Sequence, residues 1–246
     1  VCANNASLTL NGSVTVATGG QWSGGTGAYN PSNTSLSAVY TPSAAEISTG
    51  TVNLLITTSG NGLCNAVTDN LIITINPAPV ANANVDQAKC ANNANSTLNG
   101  SVSIATGGQW SGGLGTFTPD NTTMSAVYTP TATELSNGTA TLILTTTGNG
   151  LCSAVSDNMI VTFSPAPTVN SGIDIVVCAN NPNVNLAGSV TVATGGAWSG
   201  GTGTYNPNNT SLNTIYTPSV AEISAGNVVL VLTSTGNGLC TAVPDN

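Results

Sequence analysis

Six cysteines carry the most definite chemistry in this sequence. Cys2, Cys90 and Cys178 form one series with a step of 88 residues, and Cys64, Cys152 and Cys240 form a second with the same step. Two cysteines per copy at fixed places predict one disulfide in each copy: Cys2–Cys64, Cys90–Cys152 and Cys178–Cys240. Disulfides persist in oxidising compartments, so the pattern points to an exported protein. A metal site would need closely spaced Cys or His ligands, and the sequence has neither. A bridge closing a loop of about 60 residues contributes roughly 4 kcal/mol on the chain-entropy argument.

The remaining titratable groups are few. One basic residue, Lys89, stands against nine acidic ones with no histidine, for a formal net charge of −8. Binding to nucleic acid or to an anionic membrane surface needs clustered Lys and Arg, so both are excluded, and no membrane-spanning run is present. Glu46, Glu134 and Glu222 close the patterns Ser43-Ala44-Ala45-Glu46, Thr131 to Glu134 and Ser219 to Glu222, which are helix capping boxes. Asp69, Asp86, Asp157 and Asp174 could meet at the joints between copies and hold calcium. Ordinary Asx turns explain them as well, because calcium wants more carboxylates than a joint supplies. No base, activated nucleophile or recurring carboxylate pair is available, so no catalytic residue, resident metal or cofactor is assigned and the chain reads as a non-enzyme.

The aromatic residues repeat with the cysteines. Trp22, Trp110 and Trp198 lie in Thr-Gly-Gly-x-Trp-Ser-Gly-Gly segments and read as core residues, the alternative being platforms for stacking a sugar. Tyr40, Tyr128 and Tyr216 also read as core or corner residues. Tyr29, Phe117 and Tyr205, in Gly- and Asn-rich surroundings, are the candidates for surface contact with a ligand. Asn-x-Ser/Thr triplets, as at Asn33 and Asn121, are too common in this composition to mark glycosylation.

The elements that must position these residues are short strands. Alternating runs Ser7–Leu10 and Ser13–Ala17 flank Asn11-Gly12, which predicts a hairpin. Leu36–Thr41, Thr51–Thr58 and Leu71–Ile75 read as further strands, with a single helical turn at each capping box and a turn at Gly60-Asn61-Gly62. About seven strands per copy, with turn signals every 8–12 residues, predict tandem immunoglobulin-like β-sandwich modules. Pro77-Ala78-Pro79 and Pro165-Ala166-Pro167 mark short semi-rigid joints. The expected division is residues 1–77, 78–165 and 166–246, arranged as an extended rod. The first copy starts in mid-pattern and the third lacks the apolar run that follows Asn70 and Asn158. An excerpt of a longer array is therefore expected, or a unit completed by a strand from elsewhere.

Cys-Ala-Asn-Asn, Ala-Thr-Gly-Gly-x-Trp-Ser-Gly-Gly, Tyr-Thr-Pro-x-x-x-Glu, Thr-Gly-Asn-Gly-Leu-Cys and the closing Pro-Ala-Pro together resemble the tandem repeats of giant Bacteroidota surface adhesins. Among these, the sequence resembles the SprB-type adhesins of gliding motility. The resemblance covers all three copies and implies type IX secretion, a location at the bacterial cell surface and a filament moved along the cell. The partners it implies are neighbouring repeats of the same longer chain, and surface polysaccharide or other cells. Two alternatives stand beside it: a filament subunit polymerised by donor-strand exchange, and a carbohydrate-binding array.

Overall fold

The computed structural model describes residues 1–246 as short β-strands interrupted by three helices, Ala44–Thr49, Ala132–Asn137 and Val220–Ala225. The second repeat shows the full set. Strand Gly107–Gly112 pairs antiparallel with Thr139–Thr147, which pairs antiparallel with Ser156–Ser164, which in turn runs parallel to Gln87–Cys90. A second sheet joins Ser96–Thr97, Val127–Thr129 and Thr116–Thr118. A short ladder pairs Val80–Asn82 with Ser101–Ser103. Along Thr139–Thr147, Ala140, Leu142, Leu144 and Thr146 are buried while the intervening residues face outward, as the two-residue period of a half-buried strand requires.

Three separate hydrophobic clusters result, one per repeat. The first gathers Leu10, Trp22, Tyr40, Val52, Leu54, Ile73 and Ile75. The second adds Met159, Val161 and Phe163 from Ser156–Ser164 to Trp110, Tyr128 and their neighbours. The third contains only Leu186, Trp198, Tyr216 and Leu232 as buried members, because only Pro244–Asp245 lies in the place of that final strand. Trp22, Trp110 and Trp198 are all core residues, and Tyr40, Tyr128 and Tyr216 are fully buried.

The helical turns form where the capping boxes predict them. The Ser43 hydroxyl accepts from the Glu46 N–H, while the Glu46 carboxylate accepts from the Ser43 N–H at 2.7 Å. Thr131 with Glu134 and Ser219 with Glu222 repeat the exchange. Each turn ends on a glycine in the left-handed region, such as Gly138 at φ 77°, a conformation that side chains with a Cβ resist.

The hairpin expected at Asn11-Gly12 does not form. Leu8–Thr9 pairs with Val39–Tyr40, and the N–H of Gly12 donates to the Leu36 carbonyl at 3.0 Å. In the second repeat the segments on either side of Asn99-Gly100 join different partners: Ser96–Thr97 lies beside Val127–Tyr128, and Ser101–Ser103 beside Val80–Asn82. The glycine is there for packing. A Cβ on Gly100 would sit 2.5 Å from Cζ2 of Trp110, and one on Gly12 would sit 2.8 Å from Cζ2 of Trp22. This explains why the third repeat keeps Gly188 while replacing the preceding asparagine with Ala187. A turn would want both residues, whereas the tryptophan needs only the glycine.

Candidate functional site: the junction between repeats

Each repeat has two ends, and the cysteines are divided between them. Cys2 lies in a tight Cys-Ala-Asn-Asn turn, closed by the N–H of Asn5 donating to the Cys2 carbonyl at 2.9 Å, and it bridges to Asn76. Cys64 sits on the Gly60–Cys64 turn at the far end of Thr51–Ser59. That turn is built by its own hydrogen bonds. The Asn61 side chain donates to the Thr58 carbonyl at 3.1 Å, and the Val67 N–H donates to the Thr58 hydroxyl at 3.0 Å. Asn149 with Thr146, and Asn237 with Ser234, repeat the turn.

This geometry overturns the expected disulfides. The nine-residue strand Thr51–Ser59 runs between the two ends, a span of roughly 27 Å at about 3.3 Å per residue. Cysteines can be joined only when their Cα atoms lie within about 7 Å. A bridge between Cys2 and Cys64, or between their equivalents within any one repeat, is therefore out of reach. Instead, the lower end of one repeat meets the upper turn of the next. Cys2 is bonded to Cys152 and Cys90 to Cys240, with Cα–Cα distances of 5.0 and 4.9 Å. Cys64 and Cys178 are free and exposed. There are two bridges, each between repeats, in place of three within them.

Each bridge is accompanied by an asparagine clasp. The Asn4 side chain donates to the Ser153 carbonyl at 2.9 Å and accepts from the Ser153 N–H at 3.1 Å. Asn92 makes the same pair of bonds to Thr241 at 3.0 and 3.1 Å. Both sulfurs of the first bridge lie against the Pro77 carbonyl oxygen, at 3.7 and 3.5 Å, so bridge and proline linker are in contact. The junction is thus held by a peptide, a disulfide and a two-bond clasp. Protease digestion without reductant, followed by mass spectrometry, should return Cys2 peptides joined to Cys152 peptides and Cys90 peptides joined to Cys240 peptides. Cys2–Cys64 peptides would contradict this arrangement.

The carboxylates considered for calcium do not meet at a junction. Asp157 accepts from the Ala83 N–H at 2.8 Å and Asp86 from the Ile160 N–H at 2.8 Å, both inside the second repeat. Asp69 accepts from the N–H of its neighbour Asn70 at 2.9 Å, and Asp174 is exposed in the third repeat. The Asp157 and Asp86 contacts join segments 74 residues apart within the second repeat, so they are long-range ties and not the local Asx turns expected. Tyr29, Phe117 and Tyr205 are half-buried, not open to solvent as expected. Their rings pack on Tyr40, Tyr128 and Tyr216 with centroids 4.8, 5.1 and 4.9 Å apart, and the Tyr29 hydroxyl donates to the Gly24 carbonyl at 3.0 Å.

A buried carboxylate–phenol unit lies under this aromatic pair. In the second repeat Glu134 accepts from the Tyr128 hydroxyl at 2.6 Å, the Leu114 N–H at 2.8 Å, the Thr131 N–H at 2.9 Å and the Thr131 hydroxyl at 3.0 Å. Burial alone would raise the Glu134 pKa, but these donors outweigh it and the value is lowered. Glu222 is held at about 2 against the same opposing burial. Tyr128 is pushed up to about 12 by burial first and by the Glu134 carboxylate second. Such a unit is a structural corner and has no open face for a substrate.

The grooves on the surface have a structural origin too. One, lined by Ser13–Ala17 and Val67–Asp69, lies beside the segment whose counterpart in the second repeat, Ser101–Ser103, pairs with Val80–Asn82. Two more run along Asp174–Ala179 and Asn227–Leu230. Strand Ser156–Ser164 fills the corresponding space in the second repeat.

Comparison with protein-family models and with curated proteins finds no match. Among solved structures, the chain is similar at 13% identity and a TM-score of 0.33 to protocadherin gamma B2 extracellular cadherin domains 3–6, covering 92% of this chain and 65% of that one. It is similar at 10% identity and 0.30 to Sidekick-1 immunoglobulin domains 1–5, covering 98% of this chain and 56% of that one. With mouse cadherin-23 EC22–24 the identity is 9% and the TM-score 0.30, over 96% of this chain and 86% of that one. The chain thus spans less than two thirds of the first two structures' length, and likeness at this level carries no argument about activity or partners.

Proposed function

We propose that this chain is a structural stalk and adhesive repeat region of a long extracellular adhesin, with each repeat an immunoglobulin-like sandwich domain bounded at 1–77, 78–165 and 166–246. The observation that supports this reading most is the pair of disulfides that cross from one repeat to the next. Bonds placed this way strengthen the joints of an array, which matters for a stalk and not for separate binding modules. The sequence resemblance to SprB-type surface adhesins adds the cell surface of a gliding bacterium, type IX export, and polysaccharide or another cell as the surface the stalk reaches. No catalytic role is proposed. The carbohydrate-array reading loses its platform, because Trp22, Trp110 and Trp198 are at most 3% exposed and their faces are closed to a sugar.

The second reading is a filament subunit polymerised by donor-strand exchange. Electrophoresis of the native polypeptide under reducing, denaturing conditions decides between the two, together with antibody labelling of intact cells. A chain of hundreds of kilodaltons that labels at the surface is the expected result. A native chain of 24.2 kDa, the mass of this sequence, would overturn the stalk reading in favour of subunits joined by strand exchange.

A further inference from the structure

We infer that tension along this array is carried on two parallel covalent tracks and does not unravel the repeats. The mechanical use of these tracks rests on the stalk reading; their existence follows from the disulfide connectivity.

The first track enters at Cys2, crosses the disulfide to Cys152 and continues along the backbone to Cys178. Cys152 and Cys178 are 26 residues apart, whereas the backbone route from Cys2 to Cys178 is 176 residues long. The second track starts at Cys64, follows 26 residues of backbone to Cys90 and crosses the disulfide to Cys240. The two are out of step by one repeat. At the Pro77-Ala78-Pro79 joint the first track crosses as a disulfide and the second as a peptide. At the Pro165-Ala166-Pro167 joint the roles reverse. Each joint is therefore crossed twice, once by each kind of bond.

The second repeat shows what is left out. Residues between Cys90 and Cys152, including Trp110 and Tyr128, belong to neither track. A pull shared by the tracks reaches the repeat at Cys90 and Cys152 without drawing out the chain between them. The tracks also hold little slack. The first contains Ser156–Ser164, nine residues already extended as a strand, and the second contains Thr68–Thr74, Val80–Asn82 and Gln87–Cys90. Hydrogen bonds inside a repeat need not bear the load, and the repeat's stability can be modest without the stalk lengthening. Cys64 and Cys178 end the two tracks here. A further copy of the repeat on either side would continue each track through the same bond.

Single-molecule pulling of the isolated protein tests this. One handle goes on an N-terminal tag and the other, through a thioether, on exposed Cys178, in a Cys64→Ser variant so that one free thiol remains. With disulfides intact, about 27 residues separate the handles, and at roughly 3.5 Å per residue the fully stretched length is about 95 Å. After reductant the same molecule should lengthen by repeat unfolding to about 620 Å, some six-fold more. An oxidised molecule that extends in unfolding steps to several hundred ångströms overturns the inference. The lengths do not depend on where the protein lives, so this failure is separate from failure of cell-surface labelling, which would sink the stalk reading alone.

Discussion

Trp110→Ala should destabilise the second repeat by about 3–5 kcal/mol, the range for removing a buried aromatic side chain from a well-packed core. Trp110 is fully buried, lies across from Leu144 in the sheet and is one of eleven buried residues in one cluster. Its indole N–H reaches the Met124 carbonyl at 3.4 Å, so the substitution also removes a donor from that oxygen. The cavity cannot close easily, since Gly100 already brings backbone against one edge of the ring. Trp198→Ala should cost less, because its cluster has only four buried members. Urea unfolding followed by circular dichroism measures both. A loss under about 1 kcal/mol for Trp110→Ala would mean that the core does not depend on this ring.

Glu134→Ala should have an effect of similar size by a different route. It leaves the Tyr128 hydroxyl and two backbone N–H groups without their acceptor in a buried corner, at about 1–3 kcal/mol for each group that water cannot reach. Glu134→Gln isolates the charge. Because folding lowers the Glu134 pKa below 4.5, its contribution is fully present above that value and is lost as pH falls through the lower folded value. Tyr128 works in the opposite direction. Its pKa is raised to about 12 from 10.0, so its contribution is intact below pH 10 and disappears as pH rises toward 12. Urea midpoints measured from pH 6 down to pH 2 should fall more steeply for the wild-type protein than for Glu134→Gln. Parallel curves would remove the carboxylate from the account.

Much of the architecture was legible in residue order. The alternation of Val52, Leu54 and Ile56 identified the central strand, and the capping boxes located the three helical turns. These features are local: period-two burial and an acid three residues after a hydroxyl depend only on near neighbours. Tryptophan burial was readable for a related reason, since a ring of that size in a small sandwich has few other places to go. The glycine of Asn11-Gly12 misled because a turn and a close approach leave the same residue in the sequence. Only packing against Trp22 distinguishes them.

Cysteine pairing was beyond the reach of sequence. Equal spacing of both series makes pairing within a repeat and pairing between repeats equally periodic, so the pattern favours neither. The decision lies in three dimensions. The strand Thr51–Ser59 holds the two cysteines of a repeat at opposite ends, and head-to-tail stacking brings Cys2 beside Cys152 and Cys90 beside Cys240. The sequence by itself determined a repeating, disulfide-forming β-protein with its helical turns and core aromatics in place. Only the tertiary structure decided that its covalent links run between repeats, because a distance along one strand and a contact across a joint are not properties of any local run of residues.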